Sequence, residues 1–147
     1  MSVFQEFLIP AGVGALSGFL SGWISGWLGL KTVSKARRIR EIERISQTVR
    51  NIEELAGTYW VKDGSDPDTK EIELKIVRSF KYLARDIMLL PHKKARRQLI
   101  IDSLKKFRSA STGGSFQQSG RKANTETVNK VFIASYELLR ALNRLEN

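Results

Sequence analysis

The chain has 147 residues, with 25 Lys plus Arg against 15 Asp plus Glu, a net charge of +10. That balance points to anionic partners: nucleic acid, a negatively charged leaflet, an acidic protein or a phosphorylated ligand. The absence of cysteine excludes disulfides, thiolate metal sites and cysteine nucleophiles, and the single histidine, His92, excludes a His-based metal cluster; no metal or cofactor is expected.

Residues 1–6 form a short segment whose only charge is Glu6, expected to lie outside the cytoplasm. From Phe7 to Leu30 no residue is charged. A helix of that length spans about 36 Å, against a hydrocarbon core of about 30 Å. The expectation is one transmembrane helix over 7–30, with Pro10 in the first turn, where free amides tolerate it. A secretory signal would place cations ahead of the apolar stretch. Here they follow it: Lys31, Lys35, Arg37, Arg38 and Arg40. This asymmetry predicts a single-pass membrane protein with its N-terminus outside and its C-terminus cytoplasmic. The same five cations are expected to contact lipid head groups.

Within the apolar stretch, Gly14, Gly18, Gly22 and Gly26 recur every four residues, and Ser17, Ser21 and Ser25 run beside them. Phe19, Trp23 and Trp27 fall in bulky columns. Residues four apart share one slowly turning stripe, so one side of the helix is smooth and mildly polar. Lipid tails supply no hydrophobic drive between helices, and close backbone contact with serine hydrogen bonds takes its place. The pattern resembles the glycine zipper of oligomeric membrane proteins, some of them pore formers. That resemblance covers Gly14 to Gly26 and implies helix packing, here with further copies of the same chain.

Residues 31–147 read as a basic cytoplasmic domain. A first helix is expected from about Val33 to Tyr59. Its Ile42, Ile45, Val49, Ile52, Ala56 and Tyr59 alternate spacings of three and four, the seam of a bundle or of a coiled coil between subunits. Turn-forming residues follow over 62–68, with Asp66 as expected N-cap and Pro67 as first residue of the next helix. Three aspartates there, Asp63, Asp66 and Asp68, do not fit calcium-loop spacing. The second helix should run to about Leu90 on Ile76, Phe80, Leu83, Ile87 and Leu90, and Pro91 should end it.

A third helix is expected from about His92 to Arg108, with Ile100, Leu104 and Phe107 buried. It carries Lys93, Lys94, Arg96, Arg97, Lys105, Lys106 and Arg108 against Asp102 alone. These seven cations are the sequence's candidate anion-binding set. Residues 109–124 are polar and glycine-rich, so a flexible loop is expected. A last helix from about Thr125 to Leu145 follows Val128, Val131, Ser135, Leu138, Leu142 and Leu145. The fold class is therefore all-α: one transmembrane helix, then a bundle of about four helices closed at one end by Tyr59 and Trp60.

No catalytic constellation is present, and an enzyme is not expected. Three functions compete. The first is a small membrane-acting effector, pore-forming or membrane-disrupting, such as those deployed in bacterial or phage conflict, controlled by its basic domain. The second is a membrane-anchored module that binds nucleic acid or another anionic partner. The third is an accessory subunit of a larger membrane complex.

Overall fold

The computed structural model describes residues 35–145. The segment read as a membrane helix, its glycine and serine columns, and Lys31 lie outside the described residues, as does the side chain of Lys35. Four helices are present: α1 Lys35–Val61, α2 Thr69–Leu89, α3 Lys94–Thr112 and α4 Thr125–Asn143. Among the described residues there is no strand, and no helix is long and apolar enough to cross a membrane. The architecture is an all-α bundle. α4 packs on both α1 and α3, α1 also packs on α2, and Phe80 of α2 meets Phe107 of α3 with ring centroids 5.1 Å apart.

The core follows from the three-four spacing. All six seam residues of α1, from Ile42 to Tyr59, are buried, facing Ile76, Phe80, Leu83 and Ile87 of α2. Ile100, Leu104 and Phe107 of α3 join them, with Val131, Leu138 and Leu142 of α4. The α1 seam is thus occupied within one chain. Each fully buried aliphatic contributes about 1.5–3 kcal/mol before chain entropy is subtracted. Ser135 interrupts the α4 seam, but its hydroxyl lies between two acceptors for its one proton, the Phe132 carbonyl at 2.8 Å and the Glu53 carboxylate of α1.

Helix ends shift from expectation by a few residues, and two of the shifts involve specific side-chain bonds. α2 begins at Thr69 rather than Pro67. The Asp66 side chain accepts from the Asp68 amide at 3.0 Å, while Asp66 and Thr69 amides close successive turns onto Asp63 and Asp66 carbonyls at 3.0 and 3.1 Å. Asp66 therefore stabilises a turn ahead of the helix and does not cap it. α3 continues to Thr112, and in its last turn the Ser111 and Thr112 hydroxyls bond back to the Phe107 and Arg108 carbonyls at 2.8 and 2.9 Å.

The connection from α3 to α4 is held by long-range contacts. Its Gln117 and Asn124 amides donate to the Tyr59 hydroxyl at 2.9 Å and the Trp60 carbonyl at 2.7 Å. Phe116 packs on Tyr59, with centroids 5.0 Å apart. Arg121 is buried against both aromatic rings. Tyr59 and Trp60 do close this end of the bundle: the Trp60 indole N–H donates to the Ser111 carbonyl at 3.0 Å.

Candidate anion-binding site

Successive helices run antiparallel, so the opposite end of the bundle gathers the start of α1, the α2–α3 connection and the end of α4. α1 brings Arg37, Arg38 and Arg40 there. The connection brings His92 and Lys93, and the first turn of α3 brings Lys94, Arg96 and Arg97. Arg140 and Arg144 arrive from the end of α4. Among the described residues, none of these lysines and arginines forms an ion pair with a carboxylate. The ion pairs lie elsewhere, at Lys75–Glu71 (2.6 Å), Lys130–Glu126 (2.7 Å) and Arg44–Asp86 (3.0 Å), among others.

What this end offers the cations instead is carbonyl oxygen. Arg38 Nη2 donates to the Leu145 carbonyl at 2.6 Å, and Arg96 Nη1 donates to the Arg144 carbonyl at 3.1 Å. Both bonds complete the C-terminal end of α4, where free carbonyls and the negative end of the helix dipole favour cations. Those contacts leave part of the cluster unmet. Arg38 Nε, Arg97 Nε and His92 Nε2 are each buried without a hydrogen-bond partner among the described residues.

His92 is oriented by its backbone. Its Nδ1 faces the Leu90 carbonyl, which only accepts, so Nδ1 carries the proton and Nε2 is bare in the neutral ring. Burial pushes the imidazole below its usual pKa; the Leu90 bond opposes this, and the Arg97 and Arg38 charges add to it. The start of α3 is also positive. Lys93 at its N-cap makes no side-chain capping bond, and its first turn has no acid. α2 and α4, by contrast, place Glu71 and Glu126 in their first turns. Cations at a helix N-terminus oppose the helix dipole, and an anion there relieves both.

Beside this cluster, Ala95, Leu99 and Ala141 floor an open groove of about 410 Å³ between α3 and α4, flanked by Arg96 and Arg144. Leu99 is exposed there.

The structure divides the seven-residue candidate set. Lys93, Lys94, Arg96 and Arg97 share the cationic end. Lys105 lies about 12 Å further along the α3 axis than Arg97. Lys106 pairs with Glu137 at 3.5 Å, and Arg108 is half-buried with its pKa lowered by burial. In exchange, the fold brings to one end of the bundle two groups that the sequence keeps apart: Arg37, Arg38 and Arg40, read as lipid contacts, and the four cations Lys93, Lys94, Arg96 and Arg97 at the start of α3. Arg37 and Arg40 are exposed and Arg38 is half-buried. His92, Arg140 and Arg144 complete the cluster and were missed as members. The i, i+4 spacing of Arg140 and Arg144 at the end of an amphipathic helix is the signal that finds them.

Among the described residues, no group of three or more His, Asp or Glu side chains is placed to hold a metal ion. No protein-family model, curated protein or solved structure matches this chain.

Proposed function

We propose that this protein is a small single-span membrane protein that self-associates through its glycine and serine face and acts on the membrane as a pore-forming or membrane-disrupting effector. The basic helical bundle is its cytoplasmic controlling domain. The observation that carries this reading is where the unpaired cations sit. They occupy the end of the bundle at which α1 begins, and only residues 31–34 separate α1 from the uncharged stretch that ends at Leu30. Five extended residue steps reach about 18 Å at most. A bilayer crossed by 7–30 therefore lies within that reach of the start of α1, and its anionic head groups attract Lys and Arg. The groove floored by Ala95, Leu99 and Ala141 offers apolar contact beside those charges.

The test combines assembly and activity. Full-length protein is reconstituted into vesicles containing phosphatidylglycerol, its subunit number is measured by cross-linking, and release of an entrapped dye is followed. The expected result is a defined oligomer that releases dye, with both properties lost in the Gly18→Leu/Gly22→Leu variant. Full oligomerisation and leakage in that variant overturn the proposal.

A further inference from the structure

We propose that Arg38, His92 and Arg97 form a binding pocket for one phosphate group at the cationic end of the bundle. The phosphate belongs to a lipid head group or is free in solution; the chemistry that recognises it is the same. This deepens the reading of the cationic end, and it rests on the membrane reading only for the source of the phosphate.

Three buried nitrogens from two helices and a connection lack partners here: Arg38 Nε, Arg97 Nε and His92 Nε2. They do not satisfy one another. Both arginine Nε groups are donors only, and neither donates to the His92 ring. The nearby carbonyls of Leu90, Arg144 and Leu145 already accept from His92, Arg96 and Arg38. An unpaired buried polar group destabilises the fold, and more so when it is charged. A carboxylate would end this deficit, yet no described one pairs with either arginine. A phosphate oxygen ends it too, because guanidinium N–H groups form charge-assisted bonds to phosphate and the start of α3 adds positive potential.

Protonation makes the pocket complete. In the neutral ring Nε2 presents a lone pair, which repels an anion. In the imidazolium Nε2–H becomes a third donor, while Nδ1–H keeps its bond to Leu90. Phosphate binding and proton uptake at His92 are therefore coupled, and each strengthens the other. The charges acting on the ring are Arg38 from α1 and Arg97 from α3; its own connection contributes the Leu90 carbonyl, and no described α2 or α4 side chain acts on it. Without an anion those charges oppose protonation. A bound phosphate reverses their balance.

His92 is the only histidine in the chain, so its ring gives a single unambiguous signal in untagged protein. The experiment records the imidazole proton–carbon correlation of full-length protein in a neutral detergent, as a function of pH. It is run without added anion, with inorganic phosphate, and in mixed micelles carrying phosphatidylglycerol. The expected result is an upward move of the His92 pKa by about one pH unit, equivalent to about tenfold tighter binding to the protonated form. A shift with inorganic phosphate assigns the pocket to phosphate itself. A shift only with phosphatidylglycerol assigns it to the lipid head group. The Arg97→Gln variant, checked by circular dichroism for retained helix, is expected to lose the shift in both arms. No shift in either arm overturns the pocket, as does an unchanged shift in Arg97→Gln. The Gly18→Leu/Gly22→Leu variant keeps the shift whether or not it leaks dye, so failure of the membrane reading is distinguishable from failure of the pocket.

Discussion

Arg121 lies over the ring of Tyr59, its guanidinium carbon 4.0 Å from the ring centroid, and also donates to the Tyr59 carbonyl at 3.1 Å. A second N–H of the same group donates to the Lys62 carbonyl at 2.7 Å, and its backbone carbonyl accepts from the Gly64 amide at 2.8 Å. One buried cation thus completes the end of α1, which has no basic residue in its own last turn, and ties the α3–α4 connection to the α1–α2 connection. The charge is stabilised by two carbonyl oxygens and two ring faces, while its Nε has no partner and no carboxylate pairs with it among the described residues.

Arg121→Ala removes those bonds and the stacking together. The expected cost is about 2–4 kcal/mol, below the simple sum of two charge-assisted bonds and a cation–π contact because the substitution also relieves a buried charge of its desolvation. Arg121→Lys should recover less than half, because an ammonium cannot reach both carbonyls while lying flat on the ring. Equilibrium denaturation of the full chain measures both. A loss below 0.5 kcal/mol for the alanine variant would remove Arg121 from this role.

The same contacts bear on residues 109–124, whose composition predicts mobility. Amide exchange tests it at particular positions. The Asn124 and Gln117 amides, bonded to the Trp60 carbonyl and Tyr59 hydroxyl, are expected to exchange far more slowly than the exposed Ser119 and Gly120. Uniformly fast exchange across the segment would restore the compositional reading.

Much of the bundle is legible in sequence because its signal is local. Ile42 through Tyr59 repeat at three-four spacing whatever they pack against, and Pro91 stops α2 through its own ring. The connection is not legible for the opposite reason. Arg121 and Tyr59 are 62 positions apart, and nothing near Arg121 distinguishes it from the exposed Lys122 beside it. The cationic site lies between these cases. Charge density singles out α3, but a linear count cannot tell a helix end from its flank, so Lys105, Lys106 and Arg108 are grouped with Arg97. Arg38 meets Leu145 across 107 positions, and only the antiparallel order of the helices brings them together.

Gly64 occupies a place no other residue fits. A Cβ built there would lie 2.5 Å from the Gln118 carbonyl oxygen and 2.9 Å from that of Ser119. Both are backbone atoms, so the two connections must separate to admit it. Gly64→Ala is expected to cost about 1–3 kcal/mol, as overpacking does in a close-packed contact. Thermal unfolding against Gly120→Ala, which meets nothing within 4 Å, provides the control. Equal melting temperatures would refute the close approach.

Tyr59 links stability to alkaline pH. Its hydroxyl donates to Glu73 at 3.0 Å and accepts from the Gln117 amide at 2.9 Å. Burial raises its pKa above the ordinary tyrosine value; the Gln117 bond opposes this and Glu73 adds to it. A raised folded-state pKa means the contribution is complete below about pH 10, the unfolded value, and is lost as pH rises through the folded value. Tyr59→Phe should cost about 1–2 kcal/mol at neutral pH and flatten the decline above pH 10. Parallel alkaline profiles for the two proteins would rule out Tyr59 as the titrating group.

Asp86 is the buried carboxylate that joins α1 to α2. Its Oδ2 meets Arg44 Nη1 at 3.0 Å and its Oδ1 meets Arg85 Nε at 3.3 Å, while both arginine side chains are about half exposed. Removing the arginines and removing the carboxylate are therefore unequal changes. Arg44→Ala with Arg85→Ala leaves a buried charge without partners and should cost about 3 kcal/mol. Asp86→Leu releases two arginines into water and replaces the carboxylate with an aliphatic group, so stability should stay within about 1 kcal/mol of the parent. Denaturant midpoints at fixed pH compare the two variants. If Asp86→Leu proves the more damaging, the pair contributes net attraction that its desolvation does not cancel, and the join between α1 and α2 depends on charge as well as on the buried Ile45, Ile76 and Leu83 of their core.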